Sequence, residues 1–151
     1  MPNKSSLLAG RNTAPLTQDE IRRSLNTILG LDNEVPARYQ AGSRTVFRVP
    51  GSEPDVECEI VFSEDIYPGK GIADPNSSLS MAAAAAHEVS HYHRWKDKSE
   101  IDDEGLTEID EALTSLQAIL RFPRDLSPHD VRLLVGDAIQ RLHIYVNRVE
   151  G

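Results

Sequence analysis

The stretch Ala82-Ala83-Ala84-Ala85-Ala86-His87-Glu88-Val89-Ser90-His91 decides how the chain is read. Alanine is the strongest helix former, so this run predicts a helix from about Ser78 to Lys96. Four residues is just over one helical turn, so His87 and His91 project from the same face and can share one ion. Glu88 lies about 100° further round the helix, where it can reach a water on that ion without being a ligand itself. On the helical wheel Ala83 and Ala84 share the histidine face, while Ala82, Ala85, Ala86 and Val89 form an apolar face opposite. Side chains this small let a sheet and a second helix approach closely.

His87-Glu88-Val89-Ser90-His91 is the pattern H-E-x-x-H, in which two histidines bind zinc and the glutamate is a general base. Zinc brings the pKa of a water it holds to about 7. Glu88 would take the proton of that water as it attacks a carbonyl, then pass it to the leaving amine. The plain alternative is a helix with two surface histidines and no metal.

A catalytic zinc has three protein ligands and one open position. A third histidine three residues further on, followed by glycine, is absent, since positions 94–97 read Arg-Trp-Lys-Asp. A second helix is predicted from about Thr107 to Arg121, ended by Pro123, and it carries two acids, Glu108 and Glu111. Glu111 stands twenty residues after His91, which leaves room for a turn and a returning helix. It shares a strip with Ser115 and Ala118, and Glu108 lies at the edge of the same strip. The wheel does not separate the two, and either acid could be an ordinary solvated residue.

Outward from this pair of helices, Thr17-Gln18-Asp19-Glu20 fits a capping box that starts a helix, with Ile21, Leu25, Ile28 and Leu29 at helical spacing and Gly30 as its stop. Residues 31–43 read as a loop. Arg44–Val49 and Val56–Phe62 read as two strands joined as a hairpin, the second with Val56, Cys58, Ile60 and Phe62 on one face. Residues 63–78 read as a long irregular loop. Ser127-Pro128-His129-Asp130 opens a last helix, along which Val131, Leu134, Val135, Ala138, Leu142, Val146 and Val149 form an apolar stripe. The expected fold is therefore α+β: a small antiparallel sheet packed on the H-E-x-x-H helix, with further helices closing the core. Residues 1–16 are expected to be a flexible N-terminus and 17–151 a single domain.

The 151 residues carry a formal net charge of −8 and a sequence pI near 5.0, which disfavours phosphate backbones and anionic lipid as partners. Neither nucleic acid nor membrane is expected to bind. Cys58 is the only cysteine, so no disulfide framework exists, and it reads as a small strand residue rather than a nucleophile. The first residues contain no apolar run of signal-peptide length, and no segment approaches the ~20 apolar residues that span a bilayer. The expected location is the cytoplasm. Asp97, Glu100, Asp102, Asp103 and Glu104 lack the spacing of a calcium loop and read as solvated. A hydrogen-bond donor to the transition state is expected from Tyr, His or Arg. Arg94 lies nearer the ligand face, His93 reads as structural, and His129, His143 and Tyr145 are the weak candidates from the last helix.

Over about residues 79–123 the chain resembles the zincin metallopeptidases of the gluzincin type, whose third ligand is a glutamate on the helix after H-E-x-x-H. Glu111-Ala112, Ala118-Ile119-Leu120 and Pro123 resemble the glutamate helix of small cytoplasmic zincins that cleave regulatory proteins. The resemblance implies zinc held by His87, His91 and Glu111, with Glu88 as base. It implies hydrolysis of a peptide bond, one zinc per chain, and a protein or peptide substrate, selected from one or a few partner proteins. It also suggests the 56–62 strand as a sheet edge along which an extended substrate lies. Ser115 stands four residues past Glu111, where several gluzincins place an aspartate that orients a ligand histidine. The chain is also much shorter than the thermolysin-like enzymes. The competing expectation is a zinc-binding or catalytically inactive protein-interaction module.

Overall fold

A computed structural model of the chain describes residues 15–49, 58–67 and 79–151. The described residues form an α+β fold with helices α1 (Gln18–Leu31), α2 (Met81–Lys96), α3 (Thr107–Arg121) and α4 (Pro128–Glu150), and strands β1 (Ala37–Tyr39), β2 (Val46–Arg48) and β3 (Glu59–Phe62). None of these helices is long and apolar enough to cross a membrane.

Helix α1 starts on the expected capping box. Thr17 N donates to Glu20 Oε1 at 2.8 Å and Glu20 N donates to Thr17 Oγ1 at 3.2 Å. It presents Ile28 to the core. Leu16 is buried there too; residues 1–14, where most of the flexible N-terminus was expected, lie outside the described residues.

The sheet differs from the expected antiparallel pair. It has three strands in the order β1-β3-β2: β2 runs antiparallel to β3, as the hairpin predicted, and β1 runs parallel to it. Strand β1 lies inside the segment read as a loop. Its three residues between Pro36 and Gly42 are too few to show an alternating pattern, and its pairing comes from a strand twenty residues away. The ladder extends past it, with Ile60 N donating to Pro36 O and Gln40 N to Phe62 O. Glu59 spans the sheet, paired with Arg38 at 3.0 Å and with Arg48 at 3.5 Å. Strand β3 is thus central rather than an edge, which is why Val61 is buried as well as Ile60 and Phe62. Both outer strands are edges: β2 contacts α2, and β1 contacts α1. Residues 56 and 57 of the predicted second strand, and 68–78 of the predicted loop, fall outside the described residues.

Helix α2 begins at Ser80, whose hydroxyl accepts from Ala83 N at 3.2 Å. The helix is buried nearly all round: Ala83, Ala85, Ala86 and Val89 are inaccessible, and α1, α3, α4 and the sheet all contact it. Alanine is what allows four elements to crowd one axis. The helix ends in a Schellman motif, with Ser99 N bonded to Arg94 O and Lys98 N to Trp95 O, and Lys98 held at φ 59° where glycine is usual. Around α2, Ile28, Ile60, Ile66, Leu79 and Leu134 are fully buried, each contributing about 1.5–3 kcal/mol of transfer free energy.

Helix α4 buries only part of the apolar stripe read in its sequence: Leu134 and Ala138 face inward and Val131 packs against the core. Val135, Leu142, Val146 and Val149 are exposed, while its buried residues are Leu134, Asp137, Ala138 and Arg141. Two of those four are charged. The apolar period located part of the inward face and missed its charged members, because the helix also packs against a polar centre.

Candidate metal centre

Three side chains from two helices converge. His87 Nε2 lies 2.9 Å from Glu111 Oε2, and His91 Nε2 lies 3.1 Å from each oxygen of the same carboxylate. The ligand atoms of His87, His91 and Glu111 all fall within 4.8 Å of one another, so the group could hold a metal ion. The two imidazoles meet edge to face at 4.8 Å between ring centres, as the one-turn spacing dictates.

The geometry separates the two acids that the helical wheel left together. Glu111 points at both imidazoles. Glu108, one turn earlier on α3, instead sits 3.6 Å from Arg141 Nη1 and is not part of the histidine group.

The far side of His87 is also fixed. Its Nδ1 is 2.8 Å from Ser115 Oγ, and Ser115 Oγ is 2.5 Å from Asp137 Oδ2. Arg141 Nε donates to the same Asp137 oxygen at 3.0 Å. A carboxylate oxygen can only accept, so the serine hydroxyl donates to Asp137 and accepts from His87. The Nδ1 of His87 therefore carries a proton. Burial holds the His87 pKa below its ordinary value, which keeps the ring neutral and leaves a lone pair on Nε2. That lone pair faces a carboxylate oxygen 2.9 Å away, an arrangement that calls for a proton or a metal ion between the two atoms. Two imidazole nitrogens and a carboxylate oxygen are a donor set that suits zinc.

His91 carries the positive charge when a proton plays that part. Burial works against it, but the Glu111 carboxylate dominates and pushes His91 up to about 9. Burial likewise raises Glu111, yet the two histidines outweigh it and hold the acid far below the carboxylate range.

Glu88 is buried beside this group, and burial pushes its carboxyl up to about 8; His91 and Arg141 oppose the shift, while Glu111 and Asp65 add to it. A cleft of about 330 Å³ opens here, lined by Glu88, His91, Glu111, Glu108 and Arg141, and on its other wall by Arg44 to Phe47, which include the start of β2.

The lesser candidates fall outside the cleft. His129 and His143 are exposed and Tyr145 is half-buried on α4 away from it. His93 pairs with Asp32 at 2.8 Å and packs on Phe122, a structural role as its wheel position suggested. Arg94 is buried and bonded to Asp110 and to Ser99 O, locking α2 to α3 rather than facing a substrate. Besides Arg44, the cation that does reach the cleft is Arg141. Neither it nor Asp137 was singled out in the sequence; the only local signal is their four-residue spacing, common on any helix surface.

Compared with known proteins, the chain matches no family model, no curated protein and no solved structure.

Proposed function

We propose that the protein is a zinc-dependent peptidase of zincin type, with zinc held by His87, His91 and Glu111 and Glu88 as general base. The observation that carries this is the convergence of both H-E-x-x-H histidines on one carboxylate from the next helix, with Glu88 lining the cleft beside them. Zinc bound there supplies Lewis-acid chemistry, acidifying water and polarising a carbonyl.

The chain's own groups do the rest. Glu88, raised toward neutrality by burial, is matched to taking a proton from water and returning it to the leaving nitrogen. Arg141 lines the same cleft and places a positive charge 3.6 Å from Glu111, the kind of group that stabilises negative charge developing on a carbonyl oxygen. The edge strand β2 forms one wall of the cleft, so an extended peptide can add to the sheet there. The cleft is small, which favours one or a few protein substrates over general digestion.

The test is Glu88→Gln. The zinc-loaded protein is incubated with the proteome of its source cell, and new protein N-termini are read by mass spectrometry. A short set of new termini is expected, and Glu88→Gln should lower their rate of formation by at least ~100-fold while keeping zinc. Termini that form equally well with Glu88→Gln would contradict catalysis and favour an interaction module.

A further inference from the structure

Helix α4 supplies no ligand, yet its two buried charged residues both contact α3, which carries Glu111, and one of them reaches His87 of α2 through Ser115. Asp137 is 2% exposed and puts one oxygen, Oδ2, against both Ser115 and Arg141. Its other oxygen has no hydrogen-bond partner among the described residues. A buried carboxylate left half-satisfied costs stability, of order 1–3 kcal/mol or more, and an apolar residue of similar size would avoid that cost. The arrangement makes sense if the carboxylate serves something other than packing.

Two lines of contact leave Asp137. One passes through Ser115 to His87: the serine hydroxyl is 2.5 Å from Asp137 and 2.8 Å from His87 Nδ1. The other passes through Arg141, which lies one turn along α4 and 3.6 Å from Glu111. Each line ends on a different member of the His87, His91 and Glu111 group.

We propose that Asp137 is the positioning residue of this centre, fixing the tautomer and orientation of His87 through the Ser115 hydroxyl and aiming Glu111 through Arg141. The proposal rests on the metal-centre reading above. A carboxylate reaching a histidine through a hydroxyl makes the imidazole a better donor and sets which nitrogen faces the ion. The serine must be able both to accept and to donate, a demand that alanine cannot meet and asparagine at position 137 meets only weakly. Because Ser115 and Asp137 act on His87 in series, losing either breaks the same connection.

The experiment measures zinc affinity by chelator competition in the full chain for wild type, Ser115→Ala, Asp137→Asn and the double variant, with circular dichroism of each to establish folding. Each single change should weaken zinc binding by ~10–100-fold. The double variant should be no weaker than the worse single, since effects in series do not multiply. A second readout depends on Ser115→Ala alone, which removes one small hydroxyl and tolerates a failure of Asp137→Asn to fold. In ¹⁵N-labelled, zinc-loaded wild type, the His87 Nδ1 proton should be a resolved, slowly exchanging resonance, and Ser115→Ala should shift it and speed its exchange. Single variants that bind zinc within twofold of wild type, losses that multiply in the double, or an unmoved Nδ1 resonance would overturn the proposal while leaving the metal centre standing. A wild type that takes up no zinc at all would overturn both.

Discussion

His87 uses both ring nitrogens, one toward Ser115 and one toward Glu111, and this double engagement separates it from a surface histidine that merely shares a helix face. Glu111 and Glu108 then differ in kind despite lying one turn apart. Glu111→Gln removes a ligand and should weaken zinc binding by more than the ~10–100-fold typical of an outer-shell change. Glu108→Gln changes a partner of Arg141 rather than a member of the histidine group and should leave zinc binding within a few-fold of wild type. Chelator competition on the two variants checks this, and equal losses would contradict the assignment. At this scale His87, Glu88 and His91 were legible because one helical turn relates them, and that relation needs no tertiary information. The choice between Glu108 and Glu111 was not legible, because it depends on how α3 is rotated against α2. Asp137 and Arg141 were hidden more deeply. They come from a third helix, where they share the buried face with Leu134 and Ala138 but carry charge that an apolar pattern does not register.

Among the elements, helix starts were the most legible, since a cap is a local interaction between residues three apart. Thr17–Glu20 and Ser127–Asp130 both form the capping boxes their sequences allow. Strand β1 was illegible for the opposite reason: its identity comes from a partner far along the chain. The α4 cap also has a long-range task that no local pattern shows. Ser80, the N-cap of α2, donates to Asp130 Oδ1 at 2.6 Å and so ties two helix starts together. Burial raises the Asp130 pKa, but the bonds from Ser80 and Ser127 outweigh it and hold the carboxyl below its ordinary 3.8. A depressed acid stabilises the fold at pH values above its unfolded pKa and loses that contribution as pH falls through the folded value. Urea unfolding of wild type should therefore show a fall in stability below about pH 4, where Asp130 is one contributor. Asp130→Asn should be less stable than wild type at neutral pH, by about 1 kcal/mol for the cap, with the gap closing as pH drops. A gap that stays constant with pH would contradict the shift.

Across the whole molecule the centre is also a cross-link. Its residues stand on α2 and α3, α4 backs them, and α2 is the helix that every other layer contacts. A metal held there binds the folded state alone and should stabilise it. At a free zinc concentration of 100 times Kd the gain is about 2.7 kcal/mol, which corresponds to a rise in Tm of roughly 5–10 °C for a chain of this size. Chelation should lower Tm by that amount and added zinc should restore it, and calorimetry with and without chelator reads the difference. The α+β class could be anticipated from the strand and helix patterns, and the packing of α3 against α2 from the expectation that Glu111 meets His87 and His91. The mixed sheet could not be anticipated, because nothing in either specifies which strand pairs with which.

The most direct measurement is zinc per chain in the purified protein, by elemental analysis after dialysis without strong chelator, for wild type and Glu111→Gln side by side. About one zinc per wild-type chain, with the variant losing it, is the predicted result. No zinc in wild type even after the metal is added back, or full retention in Glu111→Gln, would contradict a centre built from His87, His91 and Glu111.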